Sequence, residues 1–417
     1  MEFLNNPWVF ATLTTLIKFV VLVMLFVMPL ASVLTWMERR QSAYTQDRLG
    51  PWRAHFLKVG GKPLALGGLL HIAADGLKMF FKEPFIPRSA DKWVFKIAPA
   101  IGFVTCLLIM SLIPFGPDVV TGAAGLWGFI PMQIARVDTG ILLVFALGSL
   151  GIYSASLAGW ASNNRFALMG SLRAAAQGIS YEIALGLTVV GVLLAYGSTE
   201  LSALVLAQEG TTFFGLLPRW GFVMQPLGAV LFLTAAIAET KRTPFDLPEG
   251  ESEIIGYFVE YSSMGFGLFM LAEFVEIVVL ASLFTTLFLG GWELPWVLGE
   301  DSLFLGFTAV PIGPWVHALL GMLVFGIKVF LVCAFQLQLR WTLPRFRYDQ
   351  LMHLGWKVLL PLALLNIFVT AVLVYVDASL DVLASVGVLT MALFALVVLA
   401  GPSRGKNASS HAPVASH

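Results

Sequence analysis

Residues 264–289 read MGFGLFMLAEFVEIVVLASLFTTLFL, an apolar run with two acids, Glu273 and Glu276, in its first half. At about 1.5 Å per residue, a helix of this length crosses the roughly 30 Å hydrocarbon core of a bilayer. The two acids stand three positions apart and so share a helix face. Counted from Met264, they lie about 14 and 18 Å along the helix. An ionised carboxylate at that depth costs several kcal/mol, so such residues face a polar cavity or carry protons. The run predicts a membrane helix with a working face.

The rest of the chain agrees. Of 417 residues, 58% are hydrophobic and 12% charged, with a mean hydropathy of +0.85. A soluble protein of this length needs more charge to cover its surface. The net charge of zero points away from nucleic acid. Windows long enough to span fall at 9–35, 97–115, 139–160, 181–198, 221–239, 264–289, 311–337, 358–377 and 382–401. The expected fold is an all-α integral membrane protein, one membrane domain over 1–401 with nine spans, or eight if the last does not insert. The small, polar segment 402–417 is expected to be a disordered tail. The first run follows no positive segment and is too long for a signal peptide, so it reads as a retained span.

Basic residues set the orientation. With the N-terminus outside, the segments 36–96, 161–180, 240–263, 338–357 and 402–417 are cytoplasmic. They hold all 25 basic residues except Lys18, Arg136, Arg219 and Lys328. Lys18 sits near the outer end of its span and reads as a snorkelling side chain. The stretch 64–82 is apolar on one side, through Leu66, Leu69, Leu70, Ala73, Leu77, Phe80 and Phe81. His71, Asp75, Lys78 and Lys82 line the other. This pattern predicts an amphipathic helix lying in the cytoplasmic interface.

Some chemistries are disfavoured at once. There is no strand–GxGxxG–helix unit, so nucleotides and flavins are not expected to bind by that means. Cys106 and Cys333 are far apart inside apolar runs, with no CxxC pair, and read as buried small hydrophobes.

The acids are the informative residues. Glu38, Glu182, Glu239, Glu273 and Glu276 all belong to the inner half of the membrane. Any one of them could be a neutral side chain bonded to a backbone carbonyl; five on one side argue for a shared purpose. Lys328 lies about nine residues from the inner end of its span and is expected near Glu273 or Glu276, modulating their protonation. The loop 239–260 carries Asp246, Glu249, Glu251, Glu253 and Glu260 against only Lys241 and Arg242. Pro244 and Pro248 interrupt helix there. Such a loop is most often a solvated face; held between two spans, it makes a cavity wall whose carboxylates titrate together. The basic stretches Arg39 to Arg48 and Arg340 to Arg347 read, by themselves, as inside anchors.

Five stretches carry a resemblance: MERRQSAYTQDRLGP (37–51), ADGLKMFFKEP (74–84), GWASNNRFALMGSLRAAAQGISYE (159–182), AETKRTPFDLPEGESE (238–253) and PRFRYDQLMHLGWK (344–357). Together, in this order, they resemble the H subunit of bacterial NADH-quinone oxidoreductase (complex I) and its mitochondrial counterpart in NADH dehydrogenase, over nearly all of the chain up to about Asn366. The resemblance implies a membrane component of a proton-translocating oxidoreductase in the bacterial inner membrane, with the N-terminus periplasmic and the main loops cytoplasmic. It implies quinone as substrate and no redox centre on this chain, with FMN and iron–sulfur clusters on partner subunits. Those partners would be the quinone-site subunits of a peripheral arm and antiporter-like membrane subunits. By motif matching, Glu38, Arg39, Arg48 and Asp75 would line a quinone tunnel, with Arg345 and Arg347 near it. Glu182, Glu239, Glu249, Glu251, Glu253 and Glu273 would form an acidic funnel leading away from it.

The chain departs from the family in three places. Lys241 stands where asparagine is usual, one residue is missing between Glu253 and Glu260, and the segment beyond about 378 is an extension relative to the mitochondrial version. Two other classes compete. A hydrogenase-type membrane subunit would share the scaffold without quinone, and a secondary transporter would show a repeated half. The full 238–253 and 344–350 stretches favour the quinone branch, and no repeat is visible.

Overall fold

The computed structural model describes residues 7–54, 58–59, 62–63, 66–120, 129–212, 215, 217–250, 254–295, 302–305, 308–311, 313–377 and 380–399. Glu251, Glu253, the tail 402–417 and the ends of two predicted helices (64–65 and 400–401) lie outside these residues.

The first helix runs from α1 (Pro7–Val20) through a π-helical stretch, Val21–Val27, into α2 (Met28–Thr45). The amphipathic segment is α3 (Leu70–Phe81), shorter than its hydropathy pattern because Gly67, at φ 65, turns the chain just before it. Then follow α4 (Lys92–Leu112), α5 (Gly140–Ala161), α6 (Arg165–Tyr196), α7 (Leu201–Ala207), α8 (Gly221–Met224) and α9 (Pro226–Glu239). The bundle closes with α10 (Ser263–Phe288), α11 (Pro314–Thr342), α12 (Tyr348–His353), α13 (Leu360–Val376) and α14 (Asp381–Leu399), with a π turn, Leu354–Leu359, joining α12 to α13. The described strands form only short antiparallel hairpins between helices. Among the described residues, seven helices are long and apolar enough to cross a membrane, while α9 and the stretch Asp381–Leu396 of α14 are shorter. The protein is an all-α membrane bundle.

Helix ends follow local chemistry. Asp91 caps α4 by accepting from the backbone N–H groups of Trp93 and Val94, and Asn164 caps α6 through Phe166 N–H. Gly197, at φ 68, stops α6 in the left-handed conformation that glycine takes without a Cβ clash. Between these caps α6 runs for 32 residues, about 48 Å at 1.5 Å each. It starts sixteen residues before the apolar window at 181, because Arg165, Arg173 and Gln177 lower the hydropathy of turns that are helical all the same.

Helix α10 is the axis of the bundle. It packs on α2, α3, α4, α9 and α11, and nearly all its side chains from Ala272 to Phe288 are buried. Aromatic contacts around Phe232, Phe284 and Phe288 fill its contact with α9. At the basic end of the bundle, the loop segments 240–250 and 254–262 fold back between α6 and α10. Gly170 of α6 makes this possible: a Cβ there would meet Tyr257 N at 3.0 Å and Pro248 O at 3.2 Å. Gln177 of α6 completes the seam, donating to the carbonyls of Ala238 (2.6 Å) and Phe245 (2.9 Å).

Candidate functional site

At the basic end, inside the bundle, a cavity of about 70 Å³ is lined by Glu239, Lys241, Tyr257, Glu273, Glu276, Thr105, Cys106 and Ser154 among others. That volume holds several waters. Glu273 and Glu276 do share one face and both open onto it, as their spacing requires. Glu239 comes from the last turn of α9, where α6 holds the chain through Gln177. Its Oε2 is buried and accepts no hydrogen bond among the described residues. Glu182 stands one helix away on α6 and accepts from Ser149 Oγ of α5 at 2.5 Å.

A chain of charged contacts leads out of this cavity. Glu273, only 5% exposed, accepts from Tyr257 OH at 3.2 Å and from Arg242 Nη2 at 3.2 Å. The same Arg242 donates through Nη1 to Glu38 at 2.7 Å, and Arg340 Nη1 donates to Glu38 at 2.5 Å. The Arg242 guanidinium lies over the Phe274 ring, 4.2 Å from its centre. Burial opposes the charge on Arg242, but Glu38 and Glu273 outweigh it and hold the group even more firmly protonated than usual. Glu249 adds a hydrogen bond to Glu273, and burial together with that neighbour pushes its carboxyl well above the ordinary range. As the protonated partner, Glu249 donates to the Glu273 carboxylate.

Glu38 opens on its other side into a cleft of about 400 Å³ that also meets Arg39, Ser42, Arg48, Gly50, Pro51 and Trp341. Arg39 pairs with Asp75 of α3, and both line an adjoining groove of about 300 Å³. That groove is walled mainly by apolar side chains, including Met79, Phe80, Phe266 and Leu271. Arg345 and Arg347 lie elsewhere, in a third cleft with Arg173, Asp246 and Tyr348. Arg345 Nη2 donates to Asp246 at 2.8 Å. Burial, only partly offset by Arg345, raises the Asp246 carboxyl to about 6.

The structure corrects one expectation outright. Lys328 is not near Glu273 or Glu276. Its ammonium donates to the carbonyls of Leu289 (2.7 Å), Gly291 (3.0 Å) and Glu293 (2.5 Å) and sits 4.4 Å from the centre of the Trp220 ring. The three carbonyls belong to the turn that follows the far end of α10, where the negative end of the helix dipole attracts a cation. Depth counted from each span's own inner end misled here: α11 runs on to Thr342, so Lys328 lies 14 residues from that end and not about nine, and the carbonyls it meets follow the last turn of α10.

The family model described as NADH dehydrogenase matches residues 17–371. The chain belongs to that family. Among its relatives, the first of the NADH-quinone oxidoreductase H subunits of Geobacter metallireducens is 44% identical over 353 residues, covering 84% of this chain and 94% of the relative. The H subunit of Bdellovibrio bacteriovorus is 41% identical over 377 residues (85% and 95%), and that of Flavobacterium psychrophilum 41% over 362 residues (85% and 96%). Helix α14 lies beyond the match to the NADH dehydrogenase family model.

Sequence reasoning named most acids of this site but missed Arg242, Arg340 and Tyr257 as its connectors. Arg242 had a signal: it is one of two basic residues in an acidic loop, and a buried cluster of carboxylates needs a cation. Tyr257 had none, since a tyrosine in a loop gives no hint of burial.

Proposed function

We propose that this chain forms the membrane side of the quinone chamber of a proton-translocating NADH:quinone oxidoreductase and passes the effect of quinone reduction to buried acids. One observation carries the reading. The contacts Arg340–Glu38–Arg242–Glu273–Tyr257 join the cleft beside Arg39 and Arg48 to the acid cavity without a break. The apolar groove beside Asp75 suits an isoprenoid tail, and the charged cleft beyond it suits a polar headgroup.

Quinone reduction to quinol takes up two electrons and two protons. The electrons would arrive from NADH through FMN and iron–sulfur clusters on partner subunits of the peripheral arm. Charge appearing in the cleft acts first on Glu38, which is held by two guanidinium groups. Any shift of Arg242 away from Glu273 towards Glu38 changes the charge balance of the cavity. Glu239, Glu276 and Glu182 would then relay protons towards antiporter-like subunits in the same membrane, with Glu249, Asp246, Glu251 and Glu253 as the loop's contribution. The charge placement favours the loop-bearing end on the cytoplasmic side.

The test is Glu38→Gln in the assembled complex. Losing a charged hydrogen bond of about 1.5–3 kcal/mol should slow inhibitor-sensitive quinone reduction about ten- to hundredfold. Electron transfer from NADH to an artificial acceptor upstream of quinone should persist. Full quinone reduction with full proton translocation in the variant would overturn the proposal.

A further inference from the structure

Lys241 is the one basic side chain that opens into the acid cavity, among the residues that line it. It takes a left-handed backbone, φ 54, just past the end of α9. No carboxylate among the described residues makes a direct ion pair with it. Four carboxylates nevertheless act on it: Glu276, Glu273, Glu239 and Glu249. Burial works against its charge, yet these acids outweigh burial and leave the ammonium more firmly protonated than usual. The ammonium is thus held by acids that it does not touch, in a cavity that they share with it.

The charges can be counted. Arg340, Glu38, Arg242 and Glu273 neutralise one another through direct contacts. Glu249 is spent as a neutral donor to Glu273. Tyr257 donates to Glu273, and Cys106 is a buried, free cysteine on the wall of the same cavity. Glu182 is engaged by Ser149, outside the residues that line the cavity. Lys241 is left facing two acids, Glu239 and Glu276, and Glu239 keeps one oxygen unpartnered and buried.

We propose that Lys241 is the resident counter-cation of this cavity, holding Glu239 and Glu276 at one shared proton so that the proton passes between them without change of net charge. One cation and two acids are neutral when one acid is ionised and the other protonated. Remove the cation, and neutrality requires a proton on both acids. The pair then has no vacancy to receive a proton. Lys241 acts through the acids and is a positioning residue for charge. The inference rests on the acid-path reading given above.

The test counts protonated carboxyls in the whole purified complex by the infrared carbonyl stretch, with Glu239→Gln and Glu276→Gln assigning the bands. The parent and Lys241→Arg should show one protonated carboxyl at this site, and Lys241→Asn two. The double variant Lys241→Asn/Glu276→Gln, with one acid and no cation, should return to one. Losing the cation makes deprotonation harder, so the acidic limb of the pH–activity profile of Lys241→Asn should move to higher pH, by about one unit or more. The double variant should assemble even if Lys241→Asn does not; failure of both would overturn the proposal. So would an unchanged band and an unmoved limb in Lys241→Asn. If Glu239→Gln and Glu276→Gln themselves leave proton translocation intact, the acid path falls. If they abolish it while Lys241→Asn changes nothing, only the counter-cation falls.

Discussion

The two ends of α10 use the same ingredients in opposite ways. At the basic end, Arg242 meets Glu38 and Glu273, and Lys241 shares a cavity with three acids. At the far end, Lys328 donates to three backbone carbonyls and lies over the Trp220 ring, and Gln208 bridges the carbonyls of Leu204 and Thr286 to the N–H groups of Gly221 and Gly290. A charge bonded to carbonyls has partners that cannot titrate, so it fixes a shape. A charge bonded to carboxylates has partners that gain and lose protons, so it can report an event. Buried charge alone therefore says little about function; the partner decides.

The contrast can be broken most forcefully at Arg242. Arg242→Met leaves Glu38 and Glu273 without a shared cation, and breaking a buried pair in this way costs about 3–5 kcal/mol. We expect loss of most inhibitor-sensitive quinone reduction, at least a hundredfold, in whatever complex assembles. A variant with near-normal turnover would show that the two carboxylates do not depend on it.

Lys328→Met is the matched change at the far end. It removes three charge-assisted bonds to carbonyls, and the expected cost is about 1.5–3 kcal/mol of stability. Thermal unfolding should show the loss, while the pH profile of quinone reduction should keep its shape. A moved pH profile would return Lys328 to the proton path and erase the contrast.

Asp246→Asn is the smallest and sharpest test. The folded-state carboxyl sits at about 6, above the ordinary 3.8, because burial exceeds the help from Arg345. With the folded value raised, this group's contribution to stability is greatest below the ordinary value and falls as pH rises through about 6. The asparagine variant should lose that part of the pH dependence of the melting temperature. The Arg345 contact itself needs the ionised form, so in the parent it weakens as pH falls below about 6. An identical pH dependence in both proteins would remove Asp246 as a titrating clamp between the loops.

Much of this was legible in the chain. Apolar periodicity located the helices, because lipid leaves a backbone no other way to satisfy its hydrogen bonds. The spacing of Glu273 and Glu276 placed both on one face, because 3.6 residues per turn is a local property. The motifs at 37–51, 238–253 and 344–357 led to the family that the comparisons then showed. What tertiary structure alone decided was pairing. Arg242 reaches Glu38 across 204 positions and Arg340 reaches Glu38 across 302, distances over which sequence periodicity carries no information. The place of Lys328 depended on how far α11 runs past α10, and whether Lys241 would face solvent or acids depended on the fold of one loop over Gly170. Helices are written in nearest neighbours along the chain; a charge network is written in which helices the packing brings together.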